Sequence, residues 1–192
     1  MRTWIITAAV AGGLVAAPAG LAAQAGPGAP THEFGADLGA TYTSIGSGCT
    51  GSCGIFSVAT PVDLRVGFLT GGPFSIEPRL ALSYMVATSG GGHVLVFTPG
   101  VNVLYKLGGW SGASGLMGPY VTAGAAVELT DVGGFGGSTT QPAINVGLGQ
   151  RLAWGSAAFR PEAFVRYRLE NKTHGVPAYF DIGLRIGVSL FH

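Results

Sequence analysis

Eight segments of the chain alternate apolar and polar residues with a period of two, and polar or glycine-rich segments separate them. Successive side chains of a β-strand point to opposite faces, so this alternation predicts β-strands with one apolar and one polar face. In the last segment, for example, Phe180 and Ile182 alternate with Asp181 and Gly183. The predicted strands are residues 34–43, 62–68, 76–86, 95–106, 121–129, 144–154, 159–169 and 180–190.

The charged residues of these strands all fall on the polar faces. They are eight bases and six acids: Asp37, Asp63, Arg65, Glu77, Arg79, Lys106, Glu128, Arg151, Arg160, Glu162, Arg166, Arg168, Asp181 and Arg185. Beyond residue 25, the other charged residues are Glu33, Asp131, Glu170 and Lys172, which are predicted to lie at strand ends or in loops. No predicted strand carries a charge on its apolar face, so the two faces meet different surroundings.

Glycines such as Gly124 and Gly147 lie on the same polar faces as the charges. A water-facing surface has no need of glycine, whereas the interior of an eight-stranded barrel is just wide enough for side chains. We therefore place the polar faces inside and the apolar faces against lipid, as transmembrane barrels require. The sequence predicts an all-β fold, an eight-stranded antiparallel up-and-down transmembrane β-barrel.

The fourteen charged residues of the polar faces are predicted to form an ionic network in the lumen. An isolated buried charge costs several kcal/mol, so Glu77, Glu128 and Glu162 are expected to bridge among the arginines. The excess of two bases is expected to be met by hydroxyls, carbonyls or trapped water. Such a network would plug the barrel.

Loop lengths predict how the barrel is oriented. With a periplasmic N-terminus, the outer loops are residues 45–57, 88–93, 130–141 and 170–177, and the inner turns are residues 71–73, 107–118 and 155–158. Two inner turns are short, as expected. The lipid-facing aromatic residues then form two belts: Tyr42, Tyr84, Phe97, Tyr167 and Phe180 near the outer rim, and Phe34, Phe68, Tyr105, Trp154 and Phe159 near the inner rim. Aromatic rings favour both membrane interfaces. Pro99 interrupts a predicted strand, where we expect a β-bulge.

Composition and the N-terminal segment agree with an exported barrel. Charged residues are 10 % of the chain, against about 25 % in soluble domains. Residues 1–25 are predicted to be a signal peptide, because Arg2 precedes an apolar stretch and Ala23-Gln24-Ala25 has the pattern of a cleavage site. Residues 26–33 would be an N-terminal linker, and residues 34–192 one barrel domain. Basic and acidic residues are equal in number beyond residue 25, so the charge of the chain does not indicate a nucleic-acid partner.

Over residues 34–192 the chain resembles the small bacterial outer-membrane barrels of the eight-stranded OmpA/OmpX type. The last strand, residues 185–192, is similar to the terminal strand that the barrel-assembly machinery recognises in that family, although His192 follows Phe191 where the family usually ends in Phe. The resemblance implies an outer-membrane location, with outer-membrane lipids and the barrel-assembly machinery as partners. Family members include envelope anchors, adhesion and resistance proteins and a few lipid A-modifying enzymes, so the activity stays open.

Cys49 and Cys53 lie in the first outer loop and are predicted to form a small disulfide in an oxidising compartment. That loop has no other metal ligand, so no metal site is predicted there. A Ser-His-Glu triad is conceivable in the outer loops, where His93 lies near Ser89 and His174 near Glu170, but no His or Ser of the predicted strands lies on an apolar face to reach lipid. We predict no catalytic, cofactor-binding or metal-binding residue.

The leading functional hypothesis is a non-enzymatic outer-membrane protein, in which a plugged barrel is the envelope anchor and the loops are the contact surface. The loop sequences do not identify the partner. The alternatives are a narrow porin-like channel for ions or small solutes, a lipid A-modifying enzyme and a soluble lipocalin-like carrier.

Overall fold

A computed structural model describes residues 6–7, 31–45, 54–70, 72–87, 93–108, 116–133 and 137–192. Its long strands are β1 (His32–Ile45), β2 (Gly54–Leu69), β3 (Phe74–Ala87), β4 (His93–Lys106), β5 (Gly118–Gly133), β6 (Gly137–Trp154), β7 (Ala157–Arg168) and β8 (Tyr179–Phe191). One 3-10 turn, Lys172–His174, precedes β8. A separate two-residue strand, Ile6–Thr7, pairs with the end of β3. Within these ranges, no helix is long and apolar enough to cross a membrane.

Every long strand pairs antiparallel with the next strand along the chain, and β1 also pairs with β8. The β1–β8 ladder runs without interruption from the pair Glu33 and Phe191 to the pair Ile45 and Tyr179. The sheet therefore closes on itself and leaves no long strand with a free edge. The predicted eight-stranded antiparallel up-and-down barrel is confirmed.

The two faces of each strand lie where the alternation predicts. Apolar side chains point outward, and Leu184 and Ile144 expose 63 % and 56 % of their surface. The charged side chains that the alternation places on the polar faces point inward, and Asp181 and Glu77 expose none. A soluble carrier barrel would show the opposite arrangement, so this inversion argues against the lipocalin-like alternative and for a lipid-facing wall.

The strands continue further into the outer loops than the sequence predicts. β2 begins at Gly54, and β5 and β6 stay paired up to Val132 and Gly137. The loop expected over residues 130–141 therefore includes paired strand residues. Both faces of a sheet meet water beyond the lipid, so these residues need no apolar–polar alternation, and their strands leave no periodic signal.

Pro99 lies in β4 without a bulge, so that expectation is wrong. The β4–β5 register is the same from Phe97 and Leu129 to Gly100 and Ala126, and only the pairs between them are missing. Proline has no N–H to give to the ladder, so the pairing skips it without shifting the strands. A register shift lies instead between β1 and β2, close to Gly39.

The outward positions near the middle of the wall provide a direct test of its contact with lipid. Val101, Ala125 and Val146 are exposed on the barrel surface. Substituting Arg at any one of them should lower the free energy of unfolding by about 2–4 kcal/mol, because a guanidinium at the bilayer midplane is costly. Urea titration of the barrel in lipid vesicles measures this change. Leu169→Arg, just beyond the outer end of β7, is the control and should cost about 0–1 kcal/mol. A neutral Ala125→Arg would contradict the outward assignment.

Candidate functional site

The lumen of the barrel is the candidate site. The structure brings thirteen of the fourteen predicted lumen residues into ion pairs there: Asp37, Asp63, Arg65, Glu77, Arg79, Glu128, Arg151, Arg160, Glu162, Arg166, Arg168, Asp181 and Arg185. The fourteenth, Lys106, is the last residue of β4 and is partly exposed at the inner rim. The charges form two separate clusters along the barrel axis.

The inner cluster consists of five arginines and five carboxylates, each in contact with at least two others. Its members are Arg65, Arg79, Arg151, Arg160, Arg185, Glu33, Asp37, Asp63, Glu77 and Glu162. The ion pairs form a closed circuit. Asp37 contacts Arg65 at 2.9 Å and Arg79 at 3.2 Å. Glu162 contacts both Arg160 and Arg185, the latter at 2.9 Å. The inner cluster therefore connects different strands of the barrel wall across the lumen.

Glu33 is the residue of this cluster that sequence reasoning placed wrongly. It lies in β1, is fully buried, and contacts Arg65, Arg151 and Arg160. β1 begins at His32, before the predicted start of the strand at Phe34. Extending the alternation of β1 by one position would have placed Glu33 on the inner face. The error came from the predicted strand boundary, which put this carboxylate at the end of a linker.

Arg160 lies at the centre of the inner cluster, on β7. Its two Nη atoms donate to Glu77 at 2.8 and 2.9 Å, and its Nε donates to the Tyr120 hydroxyl at 2.6 Å. The Tyr120 hydroxyl in turn donates to Glu162 at 3.0 Å, and the guanidinium lies 4.5 Å from the ring centroid of Tyr120. Fixed partners on several strands hold Arg160 in one orientation.

The inner faces also carry aromatic residues that were not predicted from the sequence. Tyr120 is fully buried against Arg160, and Phe164 lies under Arg185 at 4.3 Å from the ring centroid to Cζ. Both occupy positions that the period of two assigns to the lumen. An apolar ring can stack on a guanidinium, which allows it to lie among charges. Their position in the alternation, and not their residue type, indicates that these side chains point inward.

The outer cluster contains Glu128, Arg166, Arg168 and Asp181. Asp181 is fully buried and accepts hydrogen bonds from Arg166 at 2.8 Å, from Arg168 at 2.7 Å and from the Thr43 hydroxyl at 2.7 Å. Arg168 also contacts Glu128 at 2.9 Å. This cluster connects β1, β5, β7 and β8 near the outer end of the lumen.

A cavity of about 50 Å³ lies between the two clusters. It is lined by Asp37, Asp63, Arg79, Arg166 and Arg185, among other residues. A volume of this size and polarity can accommodate water.

Each cluster is formally neutral. Among the described residues, seven arginines and seven carboxylates are ion-paired in the lumen. Bases and acids are equal in number in this ion-paired set because Glu33 joins the residues predicted from the sequence, while Lys106 lies at the rim with an interaction of its own. Neutral clusters suit a lumen walled from water by lipid, where a net charge would be costly.

Several lumen glycines leave the room that these side chains fill. A Cβ at Gly35 would overlap the Arg65 guanidinium, and a Cβ at Gly149 would overlap the Tyr120 ring. Opposite Gly187, the space is taken by the Asp37 carboxylate. Glycine at these positions therefore follows from how tightly the interior is packed.

Other predicted sites lie outside the lumen. Cys49, Cys53 and Ser89 fall outside the described residues, so the disulfide stays a prediction. At the outer ends of the strands, the His93 ring lies 5.8 Å from that of Tyr84, and the His174 backbone N–H donates to Asn171. Within the described ranges, no group of three or more His, Cys, Asp or Glu side chains could hold a metal ion.

Removing Glu33 should destabilise the barrel strongly. Glu33→Ala leaves three buried arginines short of a carboxylate, and breaking a buried ion pair from one side costs about 3–5 kcal/mol. Urea unfolding of the barrel in detergent, followed by the shift between heat-modifiable gel bands, measures the loss. Glu170→Ala, which removes an exposed carboxylate, should leave the urea midpoint unchanged. An equal midpoint for both variants would show that Glu33 is not a structural centre.

Glycine packing can be tested with a pair of alanine variants. Gly149→Ala should cost about 1–3 kcal/mol, because the added methyl group meets the rigid, buried Tyr120 ring. Gly108→Ala meets no atom within 4 Å and should change stability by less than about 0.5 kcal/mol. The same unfolding assay compares them, and a harmless Gly149→Ala would mean that the lumen is looser than described.

The sequence matches no protein-family model, and no curated protein is significantly similar to it. The structure, however, is similar to solved outer-membrane barrels. Neisserial surface protein A (NspA) aligns with a TM-score of 0.64 at 14 % identity over 86 % of this chain and 99 % of its own. Ail, the attachment invasion locus protein of Yersinia pestis, aligns with a TM-score of 0.50 at 10 % identity over 85 % and 100 %. The chain therefore has the fold of the small eight-stranded outer-membrane β-barrels, as predicted, and the outer membrane is the location that this fold implies.

Proposed function

We propose that this chain is a non-enzymatic envelope protein, whose plugged barrel anchors it in the outer membrane and whose outer loops form its contact surface. The observation that carries the proposal is the inner cluster, a closed circuit of ion pairs across the lumen. Arg151 and Arg160 within it expose 1 % and 2 % of their surface. We infer that side chains packed to this degree leave no continuous path for solutes through the described part of the lumen.

The energetics of the clusters support a stable plug. Opening the lumen would require several buried ion pairs to separate at once, and losing one partner of one pair costs about 3–5 kcal/mol. The outer cluster adds a second barrier, since Arg168 bridges Glu128 and Asp181. Such an interior makes the barrel rigid, which suits an anchor better than a pore.

The loop before β8 supports the role of the outer surface in contact. The Gln141 side-chain amide donates to the backbone carbonyls of Leu169 and Pro177 at 3.0 and 2.8 Å, and that of Asn171 donates to the carbonyl of Thr140 at 2.7 Å. These bonds tie both ends of the loop to β6. A loop held in this way presents a fixed surface, and binding to it would cost less ordering entropy than binding to a flexible loop.

The absence of catalysis is part of the same proposal. The described carboxylates of the lumen are engaged with arginines, which leaves no free general base beside a cavity that a substrate could enter. On the outside, the described wall is mainly apolar, and its outward tyrosines such as Tyr84 lie on the lipid-facing surface without an adjacent carboxylate base in the described contacts. The similar proteins named above are a surface protein and an attachment invasion locus protein, and a comparable contact role is our inference for this chain.

The partners proposed for assembly are outer-membrane lipids and the barrel-assembly machinery, through β8. Leu190 points outward and exposes 48 % of its surface, whereas Phe191 points inward, with its ring 5.8 Å from the Arg151 guanidinium. The outward apolar residue of the terminal signal would therefore be Leu190. We further propose that residues 1–25 are removed as a signal peptide and that Cys49 and Cys53 are joined in the first outer loop.

A narrow channel is the second candidate function, and the cavity of about 50 Å³ between the clusters favours it. Arg79, Arg166 and Arg185 line this space with two aspartates. If the side chains of one cluster rearranged, the cavity would become a binding position for a small ion on its path through the lumen. The two functions differ in whether the folded barrel carries current.

Planar-bilayer recording separates the anchor from the channel. Wild-type protein should give at most rare, small conductance steps, because both clusters block the lumen. The double variant Glu77→Ala/Arg160→Ala removes one acid and one base together and keeps the lumen neutral, so it should open a measurable leak. Lys172→Ala on an outer loop is the control and should behave as wild type. Large, steady currents from the wild-type barrel would reject the plugged anchor and support the channel.

A further inference from the structure

Two histidines face each other across the seam where the barrel closes. The His192 N–H donates to the His32 carbonyl at 2.9 Å, and the His32 N–H donates to the His192 carbonyl at 3.0 Å. An exchange of both bonds makes them a directly opposed pair of an antiparallel ladder, with their Cα atoms about 5.5 Å apart. Both side chains continue the outward phase of Phe34 and Leu190, so they lie on the same side of the sheet at the inner rim.

One of these imidazoles already has the hydrogen bond that a metal-ligating histidine uses. His32 Nδ1 lies 2.8 Å from the Thr31 hydroxyl. When Nδ1 carries the proton it donates to that oxygen, and the lone pair of Nε2 is then available to a metal. Metal-bound histidines nearly always donate their second nitrogen to such a partner, which selects the tautomer.

The surroundings leave the pair accessible. His192 is exposed and His32 is half-buried, with its ring edge-on to Phe68 at 5.5 Å between ring centroids. Phe68 belongs to β2, so the His32 ring would have to turn about its Cα–Cβ bond, away from Phe68, to meet His192, which directly follows β8. Rotamer changes of this kind take picoseconds to nanoseconds at an exposed position.

We propose that His32 and His192 together bind one divalent transition-metal ion at the inner rim and so clip β1 to β8. Imidazole nitrogen is a preferred ligand of Zn²⁺, Ni²⁺ and Cu²⁺. With two protein ligands, water completes the coordination, and the ion stays exchangeable. Since the metal would bind the closed barrel and not the separated strands, it would favour the folded state by mass action.

The test uses untagged, metal-free barrel folded in detergent micelles and titrated with Zn²⁺ or Ni²⁺ alone. Calorimetry should find about one equivalent of metal for the wild type. His32→Ala and His192→Ala should each weaken binding by at least about tenfold, because either change leaves a single ligand. Zn²⁺ should also raise the temperature at which the folded gel band of the wild type disappears, and should not do so in these two variants.

The chain contains its own controls, since its other histidines lie at the outer ends of the strands. His93→Ala and His174→Ala should bind metal as the wild type does. Wild-type affinity in either His32→Ala or His192→Ala, loss of binding in His93→Ala or His174→Ala, or no binding by the wild type would each overturn the proposal.

Discussion

The structure depends on the cost of placing arginine inside a narrow barrel that is surrounded by lipid. Seven arginines of the described strands point into the lumen, where water is scarce and the wall is apolar on its other side. Each must meet carboxylates there, because a buried charge that loses its partner costs about 3–5 kcal/mol, a large part of the roughly 5–15 kcal/mol by which a domain is stable. The matching number of acids and the neutrality of each cluster follow from that constraint.

The same constraint explains the small residues of the inner faces. A guanidinium and its partners need space that eight strands barely provide, and glycines such as Gly35, Gly149 and Gly187 supply it opposite Arg65, Tyr120 and Asp37. Aromatic rings fill the remaining space, because a cation can lie on the face of Tyr120 or Phe164. The high glycine content thus reflects packing around charges as well as turns such as that at Gly155, whose φ is +61°.

If the filled lumen acts as the proposed plug, contact with the surroundings is left to the two rims. At the outer rim, hydrogen bonds from Gln141 and Asn171 hold the loop before β8 in place. At the inner rim, His32 and His192 meet across the closing seam. The wall between the rims is apolar outside and ion-paired inside, which makes it a rigid support for the contacts proposed at its ends.

The sequence by itself determined the number of strands, their inward and outward faces and most of the charges in the lumen, because lipid on one side of the wall enforces an alternation with a period of two. It did not determine the strand ends beyond the lipid, where both faces are wet and Ser138 and Thr139 show no alternation. Nor could it show that the register passes Pro99 unshifted. Only the tertiary structure decided which charges pair, since Glu33 reaches Arg151 and Arg160 across the lumen. Contacts between strands far apart in the chain depend on barrel closure, which no local pattern records.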